Sequence, residues 1–138
     1  MVDLPKRIEA EKENVGTALA NLKLVCSRKD RDVVALAAMA TFLHNIYNGI
    51  ENILKQILKS KGIAVPKTDT WHKDLLDISV SKGIISERLS EQLYEYLSFR
   101  HFFIHSYGFM LEEAHLKQLT ENIFDIWSQF LSSIKKLS

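Results

Sequence analysis

Two prolines and five glycines in 138 residues leave this chain with almost no punctuation. A β-rich fold turns often and relies on those residue types to do so, so their scarcity favours a few long helices. Apolar residues recur at helical spacing along most of the length. Leu4, Ile8, Val15, Leu19, Leu22 and Val25 mark a first helix over about residues 4–27. Ser27–Asp30 interrupts it, and Asp30 is placed to cap a second helix. That helix covers about residues 31–60, apolar nearly all round at first and then striped through Leu43, Tyr47, Ile50, Leu54, Ile57 and Leu58. Lys61-Gly62 stops it. Val65-Pro66-Lys67-Thr68 is then an extended connector, because proline disfavours helix in the residue before it. Asp69 or Thr70 is positioned to cap a short third helix carrying Trp71, Leu75, Leu76 and Ile78, which Gly83 ends. Ser86 opens a fourth, with Leu89, Leu93, Tyr96, Leu97 and Phe103 inward. A fifth, over about residues 111–136, has the clearest stripe: Leu116, Leu119, Ile123, Ile126, Trp127, Phe130, Ile134 and Leu137. The expectation is an all-α antiparallel bundle of four long helices and a short one, joined by short connections. No repeat, low-complexity tract or linker divides it, so residues 1–138 read as one helical domain.

Composition narrows the function classes. Hydrophobic residues at 46% and charged residues at 25% are ordinary for a soluble globular protein. The longest apolar run, Val33 to Leu43, is about half of the roughly 20 residues that a membrane span needs. The first residues lack the apolar core of a secretion signal, and the single cysteine, Cys26, rules out an intrachain disulfide. These features point to the cytoplasm, with Cys26 as a small apolar residue on a helix face. Net charge is only +1, so the molecule as a whole does not advertise nucleic-acid binding. The charge is unevenly spread, however. Lys55, Lys59, Lys61, Lys67 and Lys73 face one acid, Asp69, in a single stretch. Such a stretch suits a phosphate backbone, but equally a solvated helix end.

The chemistry is concentrated near the end of the fourth helix, in Arg100-His101-Phe102-Phe103-Ile104-His105-Ser106-Tyr107-Gly108. Arginine holds phosphate oxygens with a rigid fork, and histidine moves protons near neutral pH. At about 100° per residue, Arg100 and Tyr107 fall on one face, while His105 lies about 140° round from Arg100. Gly108 is suited to the left-handed turn that ends a helix, which would bring His105 and Tyr107 towards Arg100. Self-cleavage of RNA through its 2′-hydroxyl needs a base, an acid and a cation for the phosphorane, and this set supplies them. His101 and His105 lack a nearby carboxylate or cysteine to complete a metal site. Glu51 follows Tyr47 by one turn and can reach the cluster in a bundle, though a solvated glutamate has the same spacing. His44, His72 and His115 are dispersed and carry no assigned chemistry.

The Arg-x4-His-x-Tyr spacing resembles the signature of HEPN nucleases, and most closely their small HepT-type toxins. The resemblance implies a two-fold homodimer whose motif helices meet across a cleft that takes RNA, such as tRNA or mRNA. It makes Arg100 and His105 the catalytic pair and gives His101 a supporting role. Tyr107 becomes the acceptor of AMP from a cognate nucleotidyltransferase antitoxin of the MNT type. The implied protein is a metal-independent endoribonuclease toxin that needs no cofactor. Two other classes remain open on the residues alone. One is a non-catalytic HEPN module that binds nucleotide or substrate for a nucleotidyltransferase. The other is a plain helical adaptor with Arg100 tied to an acid such as Glu51.

Overall fold

In a computed structural model of the chain, residues 4–105 and 113–135 are described, without the side chains of residues 101–105. Five α-helices and no strand occur among these residues: α1 (Leu4–Cys26), α2 (Val33–Ser60), α3 (Trp71–Ser81), α4 (Glu87–His105) and α5 (Glu113–Lys135). The expected helix order therefore holds, and the all-α class with it. The side chain of Phe103, together with Leu137 and the outermost residues expected for the fifth helix, lies outside what is described.

Helix α2 is the axis of the fold. It packs against each of the other four helices, and α1 folds back along it as a hairpin. Met39, Ala40, Leu43, Ile46, Tyr47, Ile50, Ile53, Leu54 and Leu58 are all essentially inaccessible to solvent. By length and composition α2 is also apolar enough to cross a membrane. Here the bundle uses that apolarity, for α2 fills one core with Leu22, Leu75, Leu93, Leu116, Ile123 and Phe130 from the other helices. Its alanines allow close approach, and so does Gly49. A Cβ added at Gly49 would overlap Val15 Cγ2, so α1 crosses α2 with no room for even a methyl group.

The termini follow from local hydrogen bonding. Expected at Asp30, the cap of α2 is instead Asp32, in extended conformation with Oδ1 accepting from Ala35 N at 2.9 Å. Two residues go to closing α1 first: Arg31 Nη2 donates to the Cys26 carbonyl at 3.1 Å, placing a cation at the negative helix end. Helices α2 and α3 end alike. Gly62 and Gly83 both take φ of 73°, and the next residues, Ile63 and Ile84, donate back to Leu58 and Ser79 at 2.9 Å. These are Schellman closures, in which a left-handed residue lets the chain turn and an apolar one re-enters the core. Thr70 holds the N-cap position of α3, but its hydroxyl bonds to Thr68 and Asp74 side chains rather than to the helix backbone. Ser86 caps α4 as expected, its Oγ accepting from Leu89 N at 3.0 Å. Tyr96 then ties α4 to α5 by donating its hydroxyl to the Leu119 carbonyl at 2.6 Å. Cys26 is half-buried, and burial pushes its thiol up, which makes it a weak nucleophile.

Two glycines test this account in opposite directions. Gly16 is exposed on α1 with open space around its Cα, whereas Gly49 meets Val15. Urea denaturation should show Gly16→Ala raising stability by up to about 1 kcal/mol through helix propensity. Gly49→Ala should lower it by about 1–3 kcal/mol, because overpacking outweighs the same propensity gain.

Candidate active site

The residues with chemical potential converge from three helices. On α2, His44, Tyr47, Glu51 and Lys55 recur every three or four residues and so share one face, rising about 16 Å from the first to the last. The first turn of α3 adds Trp71 and His72. Near its C-terminal end, α4 adds Arg100.

Glu51 and His72 meet first. Glu51 is 2% exposed, one of few polar side chains inside the bundle. A lone carboxylate there would neutralise or destabilise the fold unless other groups compensated for its lost hydration. His72 Nδ1–H donates to Glu51 Oε2 at 2.8 Å and to Oε1 at 3.0 Å. Arg100 approaches from the other side, its Nη1 3.1 Å from His72 Nε2 and 3.2 Å from Nδ1. Nδ1 spends its hydrogen on the carboxylate, and Arg100 Nη1, almost equidistant from both ring nitrogens, lies over the face of the imidazole rather than in its plane. One imidazole therefore lies between a buried anion and a fixed cation. Arg100 is half-buried, and its Nε is buried with no hydrogen-bond partner among the described residues. Part of the fork is held and part is unspent. A phosphate oxygen would have to use the Nη donors, since Nε is closed to solvent.

The surroundings reinforce the polarity of the cluster. Tyr47 faces Glu51 one turn back on α2. Burial, together with the carboxylate's charge, holds its phenol far above the ordinary range, so it stays a neutral hydroxyl. Burial also pushes the His44 imidazole down, with the Arg100 charge adding to that effect and Glu51 opposing it. His44 Nε2 lies 3.0 Å from Asn48 Nδ2. Among the described residues, no three His, Cys, Asp or Glu side chains group as a metal site.

Of the residues singled out from the sequence, Arg100 and Glu51 come together, bridged rather than in direct contact. The α4 backbone stays helical through His105, so about 140° of rotation separates Arg100 from His105 at the Cα level. The side chains of His101 and His105, and Tyr107 with the glycine turn at Gly108, lie outside the described residues. His72 was assigned no chemistry from the sequence, yet it is the centre of the cluster. It stands 21 residues from Glu51 and 28 from Arg100, and no local spacing links the three.

Comparison with known proteins agrees with this architecture. The HepT-like protein family matches residues 38–138, which include every residue of the Glu51–His72–Arg100 cluster. Similar solved structures include a toxin-antitoxin crystal structure with AMP-PNP, at a TM-score of 0.82 and 14% identity over 94% of this chain and 97% of that one. The cytosolic protein of unknown function YutE from Bacillus subtilis is also similar, at a TM-score of 0.74 and 16% identity, covering 94% of this chain and 88% of that one. At such identities the likeness establishes a shared fold. No curated protein matches the chain by sequence. The family match extends well beyond half of the sequence, and the chain belongs to the HepT-like proteins.

Proposed function

We propose that this chain is the toxin of a toxin–antitoxin pair, a metal-independent endoribonuclease that cuts RNA by attack of its own 2′-hydroxyl. The observation that carries the reading is Arg100, held against His72 and Glu51 at the head of the Arg-x4-His-x-Tyr motif. The family match and the toxin-antitoxin neighbour of like fold support it. An adaptor would tie Arg100 to an acid such as Glu51, but binding alone has no need of the proton-transfer group that His105 offers.

In the proposed reaction, O2′ loses its proton to a base and bonds to phosphorus, and the P–O5′ bond breaks. O5′ takes up a proton from an acid, leaving a 2′,3′-cyclic phosphate and a free 5′-hydroxyl. Arg100 neutralises the phosphorane oxygens, which carry most charge midway through the step. His105 acts as general acid or base because its ordinary pKa lies near neutrality. A two-fold dimer would set two such helix ends around one cleft and supply both proton-transfer groups. His101 would orient phosphate there. A nucleotidyltransferase antitoxin would silence the site by moving AMP from ATP to the Tyr107 hydroxyl, with pyrophosphate leaving. The added phosphate would place negative charge and bulk where RNA enters. The AMP-PNP in the toxin-antitoxin neighbour is consistent with a nucleotide-using partner.

Purified protein, shown by mass to carry no AMP, should cut total RNA in excess EDTA and leave 2′,3′-cyclic ends. Arg100→Ala and His105→Ala should each slow cutting by about 100-fold or more while circular dichroism stays helical. Full cutting by both variants would overturn the assignment. His72→Ala has a different expected signature. It removes the hydrogen bonds to buried Glu51 and should lower unfolding free energy by about 1–3 kcal/mol in urea melts. Cutting should fall by about 10-fold through misplacement of Arg100, a smaller loss than removal of Arg100 itself.

A further inference from the structure

Beside the Glu51–His72–Arg100 cluster lies an open cleft of about 410 Å³ that the proposed chemistry does not use. Its lining combines an aromatic plane with two cations: Trp71, Lys55 and Lys67, with Thr68 between them and Asp69 as the one acid. Trp71 is half-buried, so part of its ring is open to the cleft. Its ring lies 3.6 Å from the His72 ring, centroid to centroid, tilted by 30°. His72 in turn receives Arg100. Trp71 and Arg100 therefore both contact one imidazole, which links the wall of the cleft to the guanidinium.

We propose that this cleft is a base-stacking subsite for a nucleotide of a single-stranded RNA whose scissile phosphate lies at Arg100, with Trp71 as the platform and Lys55 and Lys67 on the nucleotide's own phosphate. The proposal deepens the ribonuclease reading and rests on it for the orientation of the strand. In the free protein, Lys55 Nζ lies over the Trp71 ring, 4.5 Å from its centroid. That lysine does not block the subsite. A cation over an exposed ring contributes less than a stacked base, and Lys55 gains a phosphate partner when displaced. The exchange replaces one weak contact by two stronger ones. An aromatic face accepts any base, so this subsite would hold and orient single strands without fixing the base identity. A duplex could not use it, because its bases are already stacked on one another.

The test uses a five-nucleotide single-stranded RNA with 2′-O-methyl groups throughout, which cannot be cut by 2′-hydroxyl attack. In a Trp127→Phe protein, Trp71 is the sole tryptophan, and its emission should be quenched as the oligonucleotide is added. Trp71→Ala should weaken binding by about 10- to 100-fold. Trp71→Phe, which keeps a π-face, should recover most of that loss and controls for folding. Lys55→Ala and Lys67→Ala should each lessen the salt dependence of log Kd by about 0.7. Unchanged emission, unchanged affinity of a folded Trp71→Ala protein, or no binding by the parent would overturn the subsite. The two readings separate cleanly. Quenching and binding through Trp71 without cleavage of natural RNA would sink the nuclease and keep the subsite. Cleavage that ignores Trp71 would do the reverse.

Discussion

A long helix that is apolar on nearly every side must be enclosed, and the enclosure of α2 sets the rest of the molecule. One partner helix covers one stripe of it, and packing by all four buries most of its large apolar side chains. The α1–α2 crossing is tight enough to require a glycine, while α3, α4 and α5 close the remaining sides. Into this apolar axis the sequence places one carboxylate, Glu51. Its position decides where the other two members of the cluster must be, since a buried anion needs donors within hydrogen-bond reach. The site is in this sense a by-product of the core: the helices that enclose α2 also bring His72 and Arg100 to its charge.

The geometry of the cluster depends on the group in its middle. A direct ion pair between Arg100 and Glu51 would spend the guanidinium on the carboxylate and leave little for a substrate. With His72 between them, the carboxylate fixes the imidazole and the imidazole fixes the arginine. The cation keeps an orientation without losing all its donors. Tyr47 and His44 stay uncharged beside it for a common reason, because each lies in surroundings too dry to favour the ionised form.

Helix order, and most of the core, could be read directly in the chain. The apolar stripes of α2 and α5 follow a 3.6-residue period, and a stripe must be buried wherever the helix sits, so Leu43, Leu54, Ile123 and Phe130 needed no tertiary information. Glycine-terminated helices were legible too, since Gly62 and Gly83 do what an L-residue with a Cβ does poorly. The α2 cap was misplaced by two residues because Asp30 and Asp32 are equivalent as capping types, and only the Arg31–Cys26 bond separates them. At the site, Arg100 was visible through its motif. His72 was not, for no periodicity connects the first turn of α3 to the middle of α2. Side chains that meet across a bundle leave no trace in local spacing, and Glu51 looked like any solvated helix glutamate until α3 covered it.

The three members of the cluster come from separate helices, and this has a consequence for when the protein becomes dangerous to its maker. Synthesis releases Glu51 first, then His72, and Arg100 only with the last third of the chain. Until α4 docks, the anion and imidazole have no cation, and no single helix carries the whole set. On the reading proposed above, a chain that stops short of α4 is therefore harmless. On that reading toxicity would begin when α4 docks, leaving the cell an interval in which to meet the folded product with an inhibitor.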